Sequence, residues 1–137
     1  MTFDDFLGEW LISRQIDSSS PGQSGEFVGR AVFDPSPFGF HYRETGQLTT
    51  DSGHEMRAER RYHWHRRGQG AEVRFADDRT FHVVDLTAQQ PTATHDCPPD
   101  WYEGAYDFRH WPRWTVRWQV RGPRKDYRML SSYSRAS

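Results

Sequence analysis

Apolar and polar side chains alternate with a period of two through most of this chain, and that period belongs to strands rather than helices. Met56, Ala58, Arg60, Tyr62 and Trp64 form one series; Arg57, Glu59, Arg61, His63 and His65 form its polar complement. The pattern recurs as Phe40, Tyr42, Glu44, Gly46 and Leu48, and again as Trp114, Val116, Trp118 and Val120. Tyr102, Gly104, Tyr106 and Phe108 alternate in the same way, as do Phe27, Gly29, Ala31 and Phe33. Glycine, proline and aspartate clusters punctuate these runs at Ser18 to Gly25, Asp34 to Gly39 and Thr49 to Gly53. Thr87 to Asp100 holds Pro91, Pro98 and Pro99 and reads as a long connection or a broken strand.

An antiparallel meander of this size either closes or exposes two edges. The expectation is an all-β, closed, up-and-down antiparallel barrel of 8–10 strands, one domain over residues 1–137. The first residues give it a floor. Thr2 to Phe6 suits a short helical turn, with Thr2 as cap and Asp4 and Asp5 at its positive end. Gly8 then turns the chain so that Trp10 plugs the barrel. A guanidinium from the last strand would stack on that indole, with Arg128 the expected residue. The final four residues, SRAS, are expected to fray.

Only 34% of the 137 residues are hydrophobic, but six Trp, six Tyr and nine Phe supply large contact areas. Cys97 is the single cysteine, which excludes an intrachain disulfide and a cysteine-built zinc site. No apolar run reaches the length of a membrane helix and no basic-then-apolar leader is visible, so no membrane partner and a cytoplasmic location are expected. The net charge is −1, and Lys125 is the only lysine. Arg113, Arg117, Arg121, Arg124 and Arg128 crowd the last third, but they read as a surface over core rings, and no nucleic-acid partner is expected.

The stretches FLGEW (Phe6 to Trp10), MRAERRYHW (Met56 to Trp64), RFADDRTFH (Arg74 to His82) and RGPRKDYR (Arg121 to Arg128) resemble the bacterial family called domain of unknown function 6314. That likeness runs from about Phe6 to Tyr133 and brings no activity with it. Gly8-Glu9-Trp10 also resembles the Gly-x-Trp that opens calycins, the lipocalin and fatty-acid-binding-protein barrels. The likeness implies a calycin-like barrel with a late arginine over the tryptophan, for which Arg128 is the best positional match and Arg121 the second.

If Trp10 and the aromatic series face inward, the interior receives Tyr42, Glu44, Arg60, Tyr62, Trp64, Tyr102, Tyr106, Trp118 and Tyr127, with His82 on a neighbouring strand. A purely structural core favours aliphatic side chains, because a buried hydroxyl or charge must find a partner. Here one face supplies a carboxylate and a guanidinium, Glu44 and Arg60, on strands joined by one hairpin and suited to a fork-like pair. The leading reading is a small-molecule-binding barrel whose ligand is aromatic or amphipathic with an acidic group for Arg60. One alternative is a small enzyme using Glu44, Arg60, Tyr62 and His82 for acid–base chemistry; another is an interaction module filled by its own rings. His63 and His65 share a face with Arg57, Glu59 and Arg61 that looks solvated, so no metal and no cofactor are assigned. His95-Asp96-Cys97 reads as a turn cysteine beside a histidine rather than a nucleophilic site. Trp101 and Trp111 are the rings a homodimer would use.

Overall fold

A computed structural model describes residues 1–136 and contains one antiparallel sheet. A single 3-10 turn, Phe3–Phe6, precedes β1 (Gly8–Ser18), β2 (Gly25–Ser36), β3 (Gly39–Thr50), β4 (Glu55–Arg67) and β5 (Gly70–Phe75). These are followed by β6 (Thr80–Asp85), β7 (Thr92–Cys97), β8 (Asp100–Asp107), β9 (Trp114–Arg121) and β10 (Asp126–Arg135). Each strand pairs with its sequence neighbours except β6 with β7, and β1 also pairs with β10, giving the order β6-β5-β4-β3-β2-β1-β10-β9-β8-β7. The sheet thereby curls into a nearly closed barrel. No backbone ladder joins β6 to β7 among the described residues. That seam is packed by rings, with Phe81 and Phe75 at 5.4 and 5.6 Å from His95.

Three expected boundaries move. The turn assigned to Asp34 to Gly39 is shorter, because β2 runs to Ser36 and Pro35 stands opposite Phe40. The β1 ladder ends at Phe33, so Pro35 has a strand neighbour on one side only, where proline is tolerated. Thr87 to Asp100 contains a strand after all, β7, with its prolines kept just outside the ladder. The carbonyls of Gln89 and Pro91 accept from the Phe108 and Tyr106 amides, at 2.8 and 2.9 Å, and guide the chain into it. At the C terminus β10 continues to Arg135, two residues beyond its expected end, and the Ala136 amide donates to the Glu9 carbonyl.

That last shift corrects the closure of the floor. Arg128 stands opposite Asp17 and Gln119 on the outer face and is exposed. Arg121 is exposed at the other end of the barrel. Arg135 pairs with Trp10 in the β1–β10 register, and its guanidinium lies 3.9 Å from the indole centroid. It also donates to the carbonyls of Leu7 and Asp5, at the end of the 3-10 turn. The physical reason is parity: Tyr133 and Arg135 share the inward set of β10, whereas Arg128 belongs to the outward one.

The indole of Trp10 is fully buried and donates to the Phe6 carbonyl at 2.9 Å. Phe6 sits among Phe33, Trp64, Phe108, Trp111 and Trp114 at centroid distances between 4.9 and 5.9 Å. Trp111 is thus part of the floor rather than a free surface ring. Gly8, at φ 113°, makes the turn from the 3-10 segment into β1 in a conformation that L side chains rarely adopt.

Candidate functional site

Above the aromatic floor the barrel is hollow. A cavity of about 240 Å³ is lined by all ten side chains expected to face a ligand: Tyr42, Glu44, Arg60, Tyr62, Trp64, His82, Tyr102, Tyr106, Trp118 and Tyr127. Strand alternation delivers them, since β3, β4, β8 and β9 each place every second residue inside. Sequence reasoning missed Arg14, Phe75, Phe81, Ser131 and Tyr133, which also line it. Arg14 was within reach of the same rule, because it lies two and four residues beyond Ile12 and Trp10 on β1. Phe81 was not. Val73 pairs with His82 but Arg74 pairs with Thr80, so Phe81 is an extra residue in a bulge, and consecutive residues Phe81 and His82 both reach the cavity.

The polar centre differs from the expected fork. Glu44 and Arg60 are direct cross-strand partners, yet Glu44 is gripped by Arg14 from across the barrel. Arg14 donates through both terminal nitrogens to the two Glu44 oxygens, at 2.6 and 3.1 Å, and through Nε to Ser131 at 2.7 Å. The Tyr42 hydroxyl donates to Glu44 Oε2 at 2.5 Å and bonds to the Tyr133 hydroxyl at 2.8 Å. Arg60 Nε remains 3.9 Å from Glu44 Oε1, and the Arg60 side chain is 44% exposed at the rim.

Burial works to raise the Glu44 pKa, but the Arg14 guanidinium, with help from Arg60 and Tyr42, holds it below the usual carboxylate range. Burial pushes the Tyr42 phenol well above its ordinary value, with Tyr133 and Glu44 adding to the effect. It does the same at Tyr133. The core of the site is therefore one carboxylate and two guanidiniums, an excess of one positive charge, with the phenols neutral. Glu44 has both oxygens occupied, which leaves it poorly placed to exchange protons with a substrate.

The walls are rings. Phe81 stacks on Phe75 and on Trp118, both at 4.8 Å, and lies 5.8 Å from Tyr62. Trp118 lies flat on the β8 wall because its partner is Gly104, where an added Cβ would stand 2.7 Å from the indole. At the rim Lys125 pairs with Asp100 at 3.2 Å and reaches the Tyr102 hydroxyl at 3.5 Å. His82 Nε2 bonds to the Tyr106 hydroxyl at 2.7 Å, while its Nδ1 is buried without a partner. Burial, with a smaller contribution from His95, pushes this imidazole down to about 3, so it is neutral. Among the described residues, no group of three or more His, Cys, Asp or Glu is placed to hold one metal ion, and no helix is long and apolar enough to cross a membrane.

Residues 6–135 match the profile of a family of unknown function, DUF6314. No curated protein matches the sequence. Among solved structures, the chain is similar to an S-type phycobiliprotein lyase from Guillardia theta, with a TM-score of 0.67 and 11% identity. The match covers 100% of this chain and 94% of that one. At that identity the likeness concerns the barrel fold.

Proposed function

The chain belongs to the DUF6314 family, and we propose that it is a binding barrel for a small aromatic carboxylate. The observation that carries this reading is the half-exposed cation at the rim, held only loosely by its carboxylate. Glu44, the nearest carboxylate, is gripped by Arg14 and stays 3.9 Å from Arg60, whose other close partner is the neutral Tyr62 hydroxyl, so part of the Arg60 fork is left for an anion beside a ring-lined cavity. Tyr62, Phe81 and Trp118 offer the apolar walls that fix a ring, and Tyr102 and Tyr127 add hydroxyls near the opening. Size restricts the choice. At about 240 Å³ the space falls just below the usual range for ligand pockets, roughly 300 to 1,000 Å³, and suits one or two fused rings. The resemblance in fold to a phycobiliprotein lyase is compatible with a barrel that receives a small molecule, but the ligand class rests on Arg60 and the cavity.

Native mass spectrometry of gently purified protein, before and after denaturation, tests occupancy. A discrete mass lost on denaturation is expected. Tryptophan fluorescence then reports titration with aromatic carboxylates and their methyl esters, since Trp64 and Trp118 line the cavity. The acids are expected to bind more tightly than the esters in the wild type and equally to them in Arg60→Ala. Absence of any adduct together with unchanged fluorescence across such a panel would refute the proposal.

A further inference from the structure

On the outer wall, away from the cavity, two histidines meet in a way that binding of the carboxylate does not require. His41 on β3 and His63 on β4 are direct cross-strand partners, and their Nδ1 atoms stand 3.1 Å apart. The rings are tilted at 68° to one another with centroids 5.1 Å apart. Two neutral imidazoles in this arrangement share a single N–H···N hydrogen bond, and a metal ion can take the place of that proton. Zinc–imidazole bonds measure about 2.0 to 2.1 Å, so one ion joined to two nitrogens at this separation subtends about 98°. That angle lies between the square-planar and tetrahedral values, within reach of several borderline metals.

The surroundings hold the pair in place. Phe38, from the β2–β3 turn, presents its ring edge-on to both imidazoles at 5.4 Å and stacks flat on His65 at 4.2 Å. His65 is thereby turned toward Asp78, 3.6 Å away, and is not a third member of the pair. The lateral row continues on the other side: Asp34 on β2 stands opposite His41. Directly opposed residues bring their Cβ atoms to about 4.5 to 5.5 Å, so Asp34, which is not grouped with the two imidazoles at ligating distance in this structure, needs a side-chain rotation to reach the pair. Asp34 is exposed and makes no ion pair among the described residues. The cations on this face are partly neutralised, Arg61 by Glu59 at 2.6 Å and Arg74 by Glu72 and Asp78 at 2.6 and 3.1 Å. Arg43, opposite Arg61, carries no such partner among the described residues and tempers the affinity.

We propose that His41 and His63, completed by Asp34 and water, form a surface site for a divalent transition-metal ion of the zinc, nickel and copper class. Imidazole ligands select that class over calcium and magnesium, which take oxygen. Because both imidazoles must be unprotonated to ligate, binding weakens in acid.

Tag-free, chelator-treated protein titrated calorimetrically with Zn²⁺ tests the site. One equivalent is expected to bind in the wild type. His41→Asn and His63→Asn are each expected to lower the affinity by about tenfold or more, and Asp34→Asn by a smaller factor. His54→Asn, at an exposed histidine elsewhere, is the control and is expected to bind as the wild type does. Circular dichroism and melting curves check that the variants fold, which outer-wall positions permit. Binding that survives in the His41→Asn, His63→Asn double variant overturns the proposal, as does a wild type that binds Zn²⁺ no better than that variant.

Discussion

The two ends of the barrel are built from the same kinds of residue and do opposite things. At the floor, Phe6, Trp10, Phe33 and Trp114 are buried against one another, and the guanidinium over the plug, Arg135, is spent on an indole face and two carbonyls. Toward the mouth, Tyr62, Phe81 and Trp118 line an open space, and Arg60 is only loosely held by its nearest carboxylate. The difference lies in what each polar group has left over. Aromatic content alone does not distinguish a plug from a pocket; unspent hydrogen-bonding capacity does.

The strongest way to break this contrast is to hollow out the floor. Trp10→Ala removes a fully buried indole from a close-packed cluster and is expected to cost about 3 to 5 kcal/mol, measured by urea denaturation. A loss below about 1 kcal/mol would mean that the floor collapses to refill the space and is less rigid than argued.

Next in size is the salt bridge between the two ends. Glu44→Gln strands Arg14 as a buried, unpaired cation and is expected to destabilise by about 3 kcal/mol. The paired replacement Arg14→Met, Glu44→Leu should recover most of that loss, because it removes both desolvated charges together. If the single and paired variants were equally unstable, packing rather than charge would be what the pair supplies.

Acid provides a third probe. The folded-state pKa of His82 is depressed to about 3, so between about pH 6.5 and 3 the unfolded chain binds a proton that the folded chain does not. Stability is therefore expected to fall as pH drops through that window, by up to about 1.4 kcal/mol per unit from this residue. Denaturation midpoints at pH 7, 6 and 5 should show the slope in the wild type and a shallower one in His82→Gln. An unchanged slope in the variant would assign the acid sensitivity elsewhere. Glu44, held below the ordinary carboxylate range, adds its own loss only below about pH 4.5, where the unfolded carboxylate takes up a proton before the folded one does.

The smallest stability effect sharpens the comparison most. Arg60→Ala at the half-exposed rim is expected to shift stability by no more than about 0.5 kcal/mol while abolishing the preference for acids over esters. A large destabilisation would show that Arg60 is structural, tied into the Glu44 network in the way Arg14 is.

How far the sequence could be read follows from how local each signal is. Strand period grouped Tyr42, Glu44, Arg60, Tyr62, Trp64, Tyr102, Tyr106, Trp118 and Tyr127 as one inward set, and all nine line the cavity, because alternation is a property of a few consecutive residues. It failed at Phe81, where a bulge adds a residue and breaks the period, and no turn residue announces it. It failed at the floor for a different reason. Arg128 sits in a distinctive motif and Arg135 in a tail expected to fray, yet only the register of β10 against β1 decides which guanidinium reaches Trp10.

The partner of Glu44 is the clearest case of what lies beyond local pattern. Hairpin pairing correctly made Glu44 and Arg60 neighbours on adjacent strands. It could not show that Arg14, 30 residues earlier and across the lumen, would take both carboxylate oxygens. The sequence by itself determined the strand period, which rings share a face and the tryptophan expected to plug one end, since all three depend on residues close together in the chain. Closure of the barrel decided the rest. By bringing opposite walls within hydrogen-bonding distance, it assigned Arg14 to Glu44 and Arg135 to Trp10, and it left Arg60 at 3.9 Å from Glu44 on the half-exposed rim.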